Sequence, residues 1–137
     1  MKTIKQKPNS KDCLACVAAM ATGTTVGDYK KYCIDTDLLP GQEFTFIRYL
    51  WYRGFMAGFY FGEDGLHGVI GLSQLESVNI LHVPALLAVE STSKETIKQG
   101  ASHAVYWDGK KIHDPKEKRP DEDYKIISVL PIVINKT

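Results

Sequence analysis

The chain has 137 residues, a formal net charge of +1, and 44% hydrophobic and 24% charged residues. That length builds one domain with an ordinary core, without disulfide or metal staples, and the composition is that of a soluble globular protein. The near-neutral charge argues against nucleic acid and an acidic membrane surface as partners, and apolar runs such as Val83 to Val89 fall far short of the roughly 20 residues that span a bilayer.

The opening MKTIKQKPNS is polar and lacks the apolar centre of a signal peptide. Three cysteines cannot all pair within one chain, which fits free thiols in a reducing compartment. The expected location is the cytoplasm. Asp12 is placed to cap a helix from Cys13 to about Thr22, ended by Gly23. Thr24 or Thr25 caps a short second helix through Lys31 and Tyr32, and Pro40-Gly41 makes a turn. A third helix is predicted from about Glu43 to Arg53, with Phe44, Ile47, Leu50 and Trp51 on its apolar face and Gly54 as its stop.

The pattern then changes to strands. Phe55 to Phe61 is short and aromatic-rich, and a short helix is predicted near Ser73 to Val78. Pro84 to Glu90 reads as a buried strand, and the polar stretch Ser91 to Gly100 as a connection. Ser102 to Trp107 and Lys111 to His113 form a hairpin across Asp108-Gly109. Ile126 to Ile134 gives one or two strands, with Pro131 marking a break or an edge position. Helices first and strands afterwards predict an α+β domain, with N-terminal helices packed on an antiparallel sheet.

Four residues carry the chemical signal. Cys13 opens the first helix, where unpaired N–H groups and the positive end of the macrodipole favour the nucleophilic thiolate. His103 heads an alternating strand, which fixes the direction of its imidazole and suits it to act as base and acid. Asp114 lies on the return arm of the hairpin beside His103, where a carboxylate sets the tautomer of a histidine; an Asx-type turn cap is the competing role. Gln6 stands seven residues before Cys13. Its amide and the Cys13 N–H are candidates for holding a tetrahedral oxyanion. Cys16 and Cys33 read as core thiols, and His67, His82 and His113 as histidines without a chemical role. Lys110, Lys111, Lys116, Lys118 and Arg119, interleaved with acids, read as a solvated loop.

These residues resemble the papain-like clan, and within it the double-glycine leader peptidases, compact thiol peptidase domains fused to bacteriocin exporters or standing alone. The first point of resemblance is Gln6, a spacer, Asp12-Cys13-Leu14-Ala15-Cys16, Ala18-Ala19-Met20 and Gly23. The second is His103-Ala104-Val105, Asp108-Gly109 and Asp114-Pro115, preceded by Pro84-Ala85-Leu86-Leu87-Ala88-Val89. The resemblance spans nearly the whole chain. It implies a papain-like fold and a bacterial or phage cysteine peptidase acting on a peptide or protein, without cofactor or metal. Leu14 departs from the family's glycine, and Gln6 sits about one residue further upstream than is usual. No exporter domain follows, so the expected form works alone.

Other readings remain open. The same Cys–His–Asp site can serve isopeptide or cell-wall amide hydrolysis, or acyl transfer. A silent binding module on this scaffold is a different class. Cys13-Leu14-Ala15-Cys16 also reads as a C-x-x-C redox or zinc motif, but the segment before it is no buried strand and no second close ligand pair follows. Tyr49, Trp51, Tyr52, Phe59 and Tyr60 read as core residues, with a substrate groove as the alternative.

Overall fold

Helices precede strands and the architecture is α+β, as the sequence predicts. The structure is a computed structural model and describes residues 1–8, 10–58, 60–62, 70–72, 82–91 and 102–134. Helices α1 (Cys13–Thr22), α2 (Val26–Thr36) and α3 (Glu43–Tyr52) lead into β1 (Phe55–Ala57), β2 (Ile70–Gly71), β3 (Ala85–Glu90), β4 (Ser102–Trp107), β5 (Ile112–His113) and β6 (Lys125–Ile134). The strands pair antiparallel in the order β1-β6-β3-β4-β5, and β2 also lies beside β6. No helix among the described residues is long and apolar enough to cross a membrane.

Strand alternation gives the sheet two buried faces. Leu86, Tyr106, Leu130 and Ile132 pack under the helices, while Leu87, Val89, Val105, Trp107 and Val129 form a second core with Tyr124 on the other side. Every residue from Leu14 to Ala21 is buried, so α1 is the central helix, and its small side chains let it lie close to β4, α2 and α3. Gly23, at φ 71°, ends it as predicted.

Thr25 caps α2 through a reciprocal box. Its hydroxyl accepts the Asp28 N–H at 3.0 Å, and the Asp28 carboxylate accepts the Thr25 N–H at 3.0 Å. The helix runs past the predicted end because Tyr29 and Cys33, one turn apart, both face the core. In α3 the apolar face is turned from the predicted one. Thr45, Phe46, Tyr49 and Leu50 are buried, whereas Phe44 and Trp51 are exposed. Tyr49 prevails over Trp51 because its ring meets Tyr29 edge-on at 5.0 Å and its hydroxyl reaches Thr24 Oγ1 at 2.7 Å.

Pro131 neither breaks β6 nor ends it; the strand is continuous and pairs Pro131 with Ala85. The Pro131 carbonyl accepts the Gly58 N–H at 2.7 Å, so the position's missing donor faces the chain just leaving β1 instead of the central strand β3. Gly58 eases this approach, since a Cβ there would lie 3.0 Å from Pro131 Cβ and the proline would have to shift. The hairpin forms as predicted between β4 and β5. Gly109 turns it at φ 97°, where a Cβ would lie 3.0 Å from the His82 carbonyl oxygen. The helix predicted near Ser73 to Val78, most of the Ser91 to Gly100 connection, Phe59 and His67 lie outside the described residues.

Candidate active site

Cys13 is the first residue of α1, with its side chain half-buried at the helix end. Asp12 occupies the cap position but does not cap, in contrast to the sequence expectation. Its carboxylate turns to Lys30 Nζ at 2.8 Å, leaving the first-turn N–H groups unclaimed by it. The His103 imidazole and the backbone N–H groups of Ala104 and Leu14 are the groups that favour a negative charge on the sulfur. Burial raises the Cys13 thiol pKa, but these three donors outweigh it and hold the thiol below its ordinary range. Cys16, one turn inside, goes the other way; burial and the charges of Asp12 and Cys13 push it up to about 11.

His103 and Asp114 are both buried, at 8% and 1% exposure, and His103 Nε2 lies 2.6 Å from Asp114 Oδ1. That bond leaves Nδ1 for the thiol. Burial lowers the imidazole's pKa, yet the Asp114 and Cys13 hydrogen bonds reverse the shift and carry it to about 9. Asp114 in turn is raised by burial and lowered further by His103, ending below the usual carboxylate range. The three side chains therefore form one line in which the middle group holds a proton and both ends favour negative charge.

Asp114 makes the contacts of both roles that the sequence allowed. Oδ1 also accepts the Lys116 and Glu117 N–H groups at 2.9 and 3.3 Å, an Asx-type turn. Oδ2 accepts the Tyr124 hydroxyl at 2.9 Å, and the Tyr124 oxygen accepts the Arg119 N–H at 3.0 Å. Tyr124 is fully buried and escaped the sequence reading. It follows the acidic run Asp121–Asp123 in a connection, and nothing in its neighbours marks it as a partner of Asp114. The loop taken as solvated is thus half structural: Asp114 and Tyr124 are its inner side, and Lys118 and Arg119 lie over the Tyr124 ring at 5.4 and 5.1 Å.

Gln6 is brought near but not into this line. Its N–H donates to the Pro115 carbonyl at 2.8 Å, so its backbone is tied next to Asp114. Its side-chain Nε2 donates to the Ser10 carbonyl at 2.8 Å, and it borders a cavity shared with Lys5, Asp12, Cys16 and Lys30, not with Cys13. The N-terminal segment is a strap: Lys5 Nζ reaches the Asp114 carbonyl at 3.0 Å and Thr3 Oγ1 the His113 Nδ1 at 2.6 Å. His113, set aside in the sequence, is the buried anchor of that strap; its Nε2 lies 2.7 Å from Asp108 Oδ2.

Two openings flank the Cys13–His103 pair. Cys13 lines a cleft of about 170 Å³ floored by Ala88, Ser102, Ala104 and Ser128, with Leu14 on its wall. His103 and Asp114 line a wider one of about 600 Å³, edged by charged residues of the 116–125 segment. Of the aromatic residues considered for a groove, Tyr49 is core, while Trp51, Tyr52 and Tyr60 are exposed. Among the described residues no group of three His, Cys, Asp or Glu side chains is placed to hold a metal ion. Comparisons with protein families, with curated proteins and with solved structures find no match to this chain.

Proposed function

We propose that the chain is a papain-like thiol hydrolase that cleaves a peptide or amide bond, with Cys13 as nucleophile, His103 as acid and base, and Asp114 as orienter. The observation that carries this reading is the buried 2.6 Å His103–Asp114 bond next to Cys13 at the helix start, with the thiol lowered and the imidazole raised. A resting thiolate–imidazolium pair has both charges needed for acyl transfer. The Cys13 sulfur attacks the carbonyl carbon and the C–O π pair moves to oxygen. His103 Nδ1–H then passes its proton to the leaving nitrogen as the C–N bond breaks. Water, deprotonated by the now neutral His103, releases the acyl group from sulfur. The Cys13 N–H, in the first turn of α1, is the proposed backbone donor to the oxyanion. On this reading the leaving amine sits on the His103 side and the acyl portion in the cleft beside Cys13.

The test is the rate of iodoacetamide alkylation against pH, with the modified residue located by mass spectrometry. At pH 6 a thiol of ordinary pKa near 8.5 is roughly 0.3% thiolate. Full ionisation recovers that factor, but a low-pKa thiolate is a weaker nucleophile, leaving a net advantage of about tenfold. Cys13 alone is expected to react fast at pH 6, and His103→Ala is expected to abolish the advantage. A Cys13 that titrates as an ordinary thiol refutes the proposal.

A silent binding module is the second reading, and the set of the Gln6 amide toward Ser10 favours it. The alkylation test above separates the two, since a silent module has no need of a reactive Cys13 thiolate. Within the hydrolase reading, Gln6→Ala then decides the role of the amide: a loss of turnover on the order of 10²–10³-fold means that it swings onto the oxyanion during reaction, and unchanged turnover assigns the oxyanion to backbone donors alone.

A further inference from the structure

The cleft beside Cys13 has one fixed charge. Its floor is the step on the helix-facing side of the sheet where large residues give way to Ala88, Ala104, Ser102 and Ser128. Apart from Cys13 itself, every other lining side chain is neutral except Glu43, the first residue of α3. Glu43 is exposed on the cleft's lining, and its partial desolvation there raises the carboxyl pKa. A carboxylate at the rim of a cleft attracts a cation brought by a ligand during encounter and favours it over an anion. The cleft's volume of about 170 Å³ takes a single side chain. The hydroxyls of Ser102 and Ser128 add acceptors that suit an ammonium or guanidinium group.

We propose that Glu43 makes this cleft selective for substrates with a lysine or arginine side chain on the acyl side of the scissile bond. The proposal rests on the thiol-hydrolase reading above, and it assigns Glu43 to specificity, not to bond cleavage. The carboxylate attracts the cation during encounter and is paired with it in the complex. An anionic side chain in the same place meets both Glu43 and the Cys13 thiolate.

The experiment uses N-acetyl dipeptidyl chloromethyl ketones, with lysine, norleucine or glutamate at either of the two positions and alanine at the other. Inactivation rates are measured at pH 7, with Cys13 modification located by mass spectrometry and each rate divided by that of neutral iodoacetamide. In at least one position the order lysine, norleucine, glutamate is expected, with a lysine-to-glutamate ratio of roughly tenfold, typical of one partly screened charge. Glu43→Gln should lower that ratio severalfold and Glu43→Lys should invert it. A ratio near one in the wild type at both positions, or a ratio unchanged in Glu43→Gln, overturns the role of Glu43 while fast iodoacetamide labelling leaves the hydrolase reading standing. If Cys13 is slow toward iodoacetamide and all the ketones alike, the hydrolase reading fails and the Glu43 proposal fails with it.

Discussion

Asp114 does two jobs that one pair of substitutions can separate. Its charge faces His103 Nε2 at 2.6 Å, while the same carboxyl accepts two backbone N–H groups and the Tyr124 hydroxyl. Asp114→Asn keeps a carbonyl acceptor for the turn and removes the charge. Asp114→Ala removes everything and strands a buried tyrosine and imidazole. A neighbouring carboxylate is worth about 1–3 pKa units to its partner. From about 9, His103 should therefore fall into a range of roughly 6 to 8 in Asp114→Asn. Stability should separate the variants too. Loss of one partner of a buried, hydrogen-bonded pair costs about 3–5 kcal/mol, expected for alanine, whereas asparagine should cost about 1–2 kcal/mol. The assays are an NMR titration of the His103 ring protons and urea unfolding at pH 7. An unchanged His103 titration in Asp114→Asn would refute the reasoning, because Asp114 would then be a turn cap and no more.

Three further outcomes follow from the same geometry. Tyr124→Phe should release Asp114 Oδ2, allow the carboxylate to turn, and lower both stability (by about 1 kcal/mol) and the His103 pKa; a pH–alkylation profile superimposable on the wild type would remove Tyr124 from the site. Stability should respond to two opposing linkages at the pair. His103 is raised in the folded state, so its contribution is complete below about 6.5 and is lost as pH climbs through about 9. Cys13 is lowered, so its contribution grows as pH rises toward the ordinary thiol range near 8.5 and offsets that loss. Asp114, lowered in the folded state, adds a decline as pH falls below the ordinary carboxylate range. Urea midpoints should thus be nearly level from about pH 6.5 to 8.5 and fall in acid, and a steep decline over that level range would mean that His103 is raised with no thiolate beside it. Finally, Gly58→Ala should cost about 1 kcal/mol through its contact with Pro131, read by the same unfolding assay.

The parts of the fold legible in the sequence were those written in local chemistry. Gly23 ends α1, Thr25 opens α2, and Asp108-Gly109 turns the hairpin, because φ requirements and caps depend on a few neighbouring residues. The α3 face departs from its sequence pattern for the opposite reason. Phe44 and Trp51 outrank Thr45 and Tyr49 in hydrophobicity, but burial was decided by the tyrosine cluster with α2 and by a hydroxyl pair with Thr24, neither visible in α3 alone. In the site, Cys13, His103 and Asp114 could be read from a helix start and a hairpin. Tyr124 could not, since only the path of the 115–123 segment brings it back over Asp114. The sequence points Asp12 to the helix cap because it shows proximity to the helix and not the competing Lys30, 18 positions away.

The hairpin carries two histidine–aspartate pairs, and comparing them shows what sets apart the one proposed to be chemical. His113 bonds Asp108 Oδ2 through Nε2 at 2.7 Å and Thr3 Oγ1 through Nδ1 at 2.6 Å, a hydroxyl–imidazole–carboxylate line in the same order as Cys13–His103–Asp114. The two carboxylates are alike in accepting two N–H groups of their own turn, Lys110 and Lys111 at Asp108 and Lys116 and Glu117 at Asp114, but His113 is 1% exposed against 8% for His103. Its third group is a threonine hydroxyl, whose proton is far less acidic than a thiol's, so no resting ion pair forms with it. The Thr3 line is a clasp that holds the N-terminal strap, and through the strap Lys5 and Gln6, against the Asp114–Pro115 backbone. Thr3→Val keeps the shape of the side chain and deletes the clasp. It should lower stability by about 1–2 kcal/mol, by leaving the buried imidazole nitrogen unpaired, and increase proteolytic cutting near residues 3–8. Labelling of Thr3 by a fluorophosphonate or a similar hydroxyl-directed acylating reagent would contradict this assignment, because it would make the second line a nucleophilic site in its own right.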